Sequence, residues 1–167
     1  MVEVELAGVQ IDQRSATPVM LLRESVEPRR TVAIYIGRTE AQAIVDAVQG
    51  VEPPRPLTHD LIRDILDVVG ARVDRVVITT LVESTFYAEL ELTSSGSKLH
   101  ISCRPSDAVA IAVRVGSPIF VLDDLIAKEG FVISSEIDDI DEPLENPEEI
   151  VGEFRDFLDK INPEDFS

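Results

Sequence analysis

Residues 108–115 read Ala-Val-Ala-Ile-Ala-Val-Arg-Val, with no polar side chain before Arg114. A helix that is apolar all round is a buried helix. Its surroundings therefore have to be layers of other elements around one core, and 167 residues are enough to build them. Trp is absent and aromatics are sparse, so that core rests on Val, Ile, Leu and Ala.

Several flanking stretches alternate in the manner of strands with one wet face. Val2, Val4 and Leu6 fall on one side, Glu3 and Glu5 on the other. Further strands are predicted over 18–23, 31–36, 72–81, 85–93, 99–103 and 118–122. In the third, Val32, Ile34 and Ile36 share a face; in the fifth, Phe86, Ala88, Leu90 and Leu92 do. The short connections among the first three predict an antiparallel meander.

Between these lie helical patterns. One spans about 39–48, with Thr39 and Gln42 at capping-box spacing and Gly50 as its stop. After a link containing Pro53, Pro54 and Pro56, a second spans about 58–69. Thr58 is its expected N-cap and Asp60 sits in the first turn. Leu61, Ile62, Ile65, Leu66 and Val69 are expected to face the core, with Asp60, Arg63, Asp64 and Asp67 wet. A short helix is expected over 123–129. The fold class is α+β: a mixed, mostly antiparallel sheet packed with three to four helices.

Charge divides the chain. Residues 131–167 hold 13 acids against two bases, −11 of the net −17, leaving −6 for the first 130 residues. Asn146, Pro147 and Glu149 predict a C-terminal acidic helix ending near Lys160, striped by Ile150, Phe154, Phe157 and Leu158. Two regions are expected: a domain over 1–132, then an acidic linker and helix over 133–167. The tail reads as a solvated spacer, or as an electrostatic cover for a basic groove. No apolar run approaches the roughly 18 residues of a membrane span. Cys103 is the sole cysteine, so no intrachain disulfide forms. The start lacks a secretory pattern, and a cytoplasmic protein is expected. The negative field repels nucleic acid at long range without excluding a local basic groove.

The sequence has no glycine-rich phosphate loop, paired-cysteine metal site, nucleophile elbow or two-His helix. With only His59 and His100, a multi-histidine zinc site is set aside. Two compact polar motifs remain, each opening a helix: Arg55-Pro56-Leu57-Thr58-His59-Asp60 and Arg104-Pro105-Ser106-Asp107. Both have a plain structural reading. Thr58 and Asp60 serve as caps, His59 as a hydrogen-bonded packing residue, Glu40 as part of a capping box, and Arg104 ties Asp107.

These motifs stand in order with Ile36-Gly37-Arg38-Thr39-Glu40-Ala41 and Thr85-Phe86-Tyr87-Ala88. Together the four resemble the bifunctional nuclease domain family, over about residues 1–132. The resemblance implies an α+β domain that associates with copies of itself and, as in plant members, an activity cutting both RNA and DNA. It departs at Ser102, where the family commonly has Asp. A nuclease of this kind would hold Mg²⁺ or Mn²⁺ through Asp60, Asp107 and Glu40. His59 would move a proton, with Asp60, Asp107 and Arg104 beside it in the catalytic set, while Arg38, Arg55 and Ser106 would meet the phosphates. The competing expectation is a non-catalytic oligomeric domain that binds a partner or a small anion. The first survives if Asp60, His59 and Asp107 converge within metal-bridging reach; the second gains if they point to separate corners, or if Arg104 is committed to Asp107.

Overall fold

The computed structural model describes residues 1–132; the expected C-terminal helix lies outside the described residues. Seven strands and four helices follow in the order β1 (Val2–Asp12), β2 (Thr17–Glu24), β3 (Thr31–Tyr35), α1 (Arg38–Val48), α2 (Thr58–Val68), β4 (Ala71–Val82), β5 (Thr85–Ser94), β6 (Ser97–Cys103), α3 (Pro105–Val115), β7 (Ile119–Val121) and α4 (Asp123–Glu129). The class is α+β, as the patterning predicts. No helix among the described residues is long and apolar enough to cross a membrane.

All seven strands join one sheet in the order β3-β2-β1-β7-β4-β5-β6. The first three form the expected antiparallel meander, and β4, β5 and β6 form a second. Between the two sits β7, three residues long, antiparallel to β1 and parallel to β4. The alternation seen in sequence is the alternation of burial: Val4, Val32, Ile34, Ala88, Leu90 and Leu92 are buried, while Glu3, Glu5 and Tyr87 are exposed.

α3 packs against β4 and β5 on one side and against α1 and α2 on the other, which accounts for its lack of a polar face. Ala108 through Ala112 are all buried. Gly116 ends the helix in the left-handed conformation, φ 68°, where a side chain is disfavoured.

The helix starts differ from expectation. The N-cap of α1 is Gly37, not Thr39, and Gln42 donates to Asp46 instead of closing a capping box. Leu57, not Thr58, caps α2, with its N–H donating to Asp60 at 3.0 Å. The facing of α2 also differs. His59 and Asp60 are buried, Ile62 and Leu66 pack against the core, and Leu61, Ile65, Val68 and Val69 are exposed.

Candidate functional site

Three helices begin at one corner, and each carries an acid three residues after its N-cap: Glu40 after Gly37, Asp60 after Leu57, Asp107 after Arg104. A carboxylate there faces the positive end of the helix dipole. Partners 48 to 64 residues apart in the chain then bind the three first turns together. His59 Nε2 lies 3.0 Å from Asp107 Oδ1. Arg104 donates to Asp107 at 2.6 and 3.1 Å, and to Glu40 at 2.9 Å. Burial works to raise the Asp107 pKa, but the hydrogen bonds from Arg104 and His59 outweigh it and hold the carboxyl below its ordinary value.

Asp60 belongs to a separate pair. It accepts from Arg114 at 2.6 Å, and that hydrogen bond, opposed by burial and helped by the Leu57 N–H, lowers its pKa. Arg114 lies seven residues along α3 from Asp107, two helical turns or about 10 Å. Neighbouring residues of α2 thus grip α3 at two levels, His59 at its start and Asp60 near its end. Sequence reading passed over Arg114. Its signal was present: the one charge after Asp107 on a helix otherwise apolar from Ala108 on, seven residues later and so on the same face.

This arrangement does not fit the expected metal set. Asp60 is committed to Arg114 and stands apart from Asp107, while Glu40 and Asp107 share the Arg104 guanidinium. Among the described residues no group of three His, Cys, Asp or Glu side chains is placed to hold a metal ion. Of the expected phosphate contacts, Ser106 is buried beside Arg104, and Arg38 donates to the Ala16 carbonyl at 3.0 Å. Arg55 stands exposed on the link before α2. Cys103 offers no thiolate at neutral pH, because burial and then the Asp107 charge push its thiol up to about 11.

Two open clefts flank the corner. One, of about 430 Å³, is lined by Arg104 and Ser106 together with Tyr35 and Phe86. The other, of about 660 Å³, runs between α1 and α2, lined by Arg38, Thr39, Asp46 and His59. Arg104 Nη2 and His59 Nε2 each lie about 3 Å from the same oxygen, Asp107 Oδ1, so they are no more than about 6 Å apart. The Arg104 side chain is 66% exposed. Chemically, the corner offers an exposed guanidinium beside a buried histidine paired with a half-buried carboxylate, the parts needed to hold an anion and move a proton.

A Mycobacterium tuberculosis protein, itself uncharacterized, is 45% identical over 166 residues, covering 99% of this chain and 98% of its own length. Bifunctional nuclease 2 of Arabidopsis thaliana is 36% identical over 90 residues, 52% of this chain but 27% of the plant protein. Bifunctional nuclease 1 of the same plant is 31% identical over 126 residues, 74% of this chain and 39% of its own length. A family model described as the bifunctional nuclease domain matches residues 20–134, well over half of the sequence, and the chain belongs to that family.

Proposed function

We propose that this chain is a nuclease acting on phosphodiester bonds of RNA, DNA or both, with its site at the corner where α1, α2 and α3 begin. The observation that carries the reading is the His59–Asp107 pair next to the exposed Arg104. The plant relatives' name, bifunctional nuclease, supports the substrate class. Arg104 receives a phosphate oxygen and offsets charge that builds up as the bond breaks. The Asp107 carboxylate accepts from Nε2 of His59, which leaves Nδ1 as the basic nitrogen. His59 then takes a proton from the attacking oxygen or returns one to the leaving oxygen. Glu40 and Asp107 hold Arg104 in place, and Ser106 lines the phosphate side. No step is assigned to Mg²⁺ or Mn²⁺, since Asp60, Asp107 and Glu40 do not form a common ligand set.

The test is cleavage of labelled single-stranded RNA and DNA by the full chain and by His59→Asn. Each is run with Mg²⁺, with Mn²⁺ and with chelator, after circular dichroism has shown that the variant is folded. Removal of a proton-transfer group lowers the rate by about 10² to 10⁴-fold, with binding little changed. Cleavage that survives in His59→Asn overturns the assignment. Cleavage abolished by chelator moves the chemistry to a metal held in some other way.

A second reading, a binding domain without catalysis, is favoured by two observations: Arg104 already has two carboxylate partners, and Asp60 stands apart from Asp107 in its own pair with Arg114. Strand binding without turnover in any buffer selects it. We also infer self-association through β6. It ends the sheet with Leu99 and Ile101 exposed, an edge suited to pairing with another copy. Light scattering on the native chain and on Ile101→Lys checks this.

A further inference from the structure

The chain has six Phe, two Tyr and no Trp, yet Tyr35 and Phe86 line the same cleft as Arg104. β3 and the start of β5, about fifty residues apart in the chain, bring them there. On β3 the inward residues Val32 and Ile34 are buried, while Tyr35, next along the strand, is 62% exposed. Its hydroxyl donates to Asp12 at 3.3 Å, which fixes the far end of the ring. Charge also singles out this cleft. In a chain of net charge −17 its lining carries Arg104 and no acid, whereas the cleft beside His59 includes Asp46. Three acids around it are occupied, Asp12 with Ser15 and Tyr35, Glu40 and Asp107 with Arg104, while Glu83 adjoins the lining residue Ser84 and is exposed.

An aromatic ring in water beside a cation matches one kind of ligand well. A nucleobase offers a flat face for stacking, and the phosphate attached to it offers charge. The volume, about 430 Å³, lies within the range of small-molecule pockets. We propose that the cleft is a nucleobase subsite, in which an unpaired base of a single-stranded nucleic acid stacks on Tyr35 beside Phe86 while its phosphate meets Arg104. A paired base is sealed within its own stack and cannot enter, so the subsite selects single strands over duplex. The proposal rests on the reading that Arg104 takes a phosphate.

Binding of fluorescent five-nucleotide DNA to the full chain at low salt tests it. The probes are a strand with bases, an abasic strand with the same number of phosphates, and a duplex. The strand with bases is expected to bind on the order of tenfold more tightly than either of the others, from the worth of one stacked base. Tyr35→Ala brings it down to the abasic level and leaves the abasic strand unchanged. Tyr35→Phe, which keeps the ring, keeps the preference. Arg104→Gln weakens both single strands. If bases add nothing, or if their advantage survives in Tyr35→Ala, the subsite is overturned while an effect of Arg104→Gln still upholds the phosphate reading. Indifference of every probe to Arg104→Gln, or no binding at all, overturns both.

Discussion

Arg114 and Asp60 form a buried pair, with side chains 5% and 12% exposed. Such a pair gives little net stability against an apolar equivalent, but breaking it leaves one charge without compensation, at about 3–5 kcal/mol. Arg114→Met is therefore expected to lower the unfolding free energy by about that amount, measured by urea denaturation at pH 7. The deficit depends on pH. Asp60 has a folded pKa below its ordinary 3.8, so its contribution is complete above that value and is lost as the pH falls through the folded pKa. The gap between the native chain and Arg114→Met should be widest near neutrality and should narrow as the pH falls. The lone carboxyl of the variant, whose pKa burial raises, takes a proton first, and Asp60 of the native chain does so last. At this scale the sequence was partly legible. The Arg104–Asp107 tie follows from two residues three apart at a helix start. His59 and Asp107, 48 positions apart, share no local signal.

The orientation of α2 shows where pattern reading stops. Its apolar stripe pointed Leu61 and Ile65 inward, and the helix instead turns His59 and Asp60 toward α3. Leaving two aliphatic side chains half in water forfeits roughly 1 kcal/mol each, less than the cost of an unpaired buried charge. Mean polarity cannot reveal this, because a buried acid and a wet acid look alike until the partner is known. Strands were easier to read, since a period of two with one dry face leaves little freedom of facing. Two pairs of substitutions check the orientation by denaturant melts. Leu61→Ser and Ile65→Ser should each cost about 1 kcal/mol at most, and Ile62→Ala and Leu66→Ala should each cost more, about 1–3 kcal/mol. The reverse order would restore the expected facing.

For the molecule as a whole, Glu24, Asp60 and Asp107 all have folded pKa values below their ordinary ones, mainly through Arg30 for Glu24, Arg114 for Asp60, and Arg104 with His59 for Asp107. Depressed carboxylates stabilise above their unfolded pKa, so melting temperature is expected to stay level from neutrality down to about pH 5 and to fall below it. A scan of thermal unfolding between pH 7 and 3 measures this; a melting temperature that rises on acidification contradicts it. Fold class was legible because both meanders are built from neighbours in sequence. The placement of β7 was not, because three residues hold no record of which strands will flank them.

That placement has a consequence for how the chain comes into being. Among the described residues, β1–β3 and β4–β6 share no ladder of their own, and within the sheet only Ile119–Val121 join them. A fragment ending at Gly116 should therefore show no single cooperative thermal transition by circular dichroism. During synthesis, nearly all of the domain has to leave the ribosome before its sheet can become continuous. Until then each half presents a bare strand edge beside apolar residues, the kind of surface on which nascent chains adhere to one another or recruit a chaperone. β7 is the strand that withdraws both edges at once.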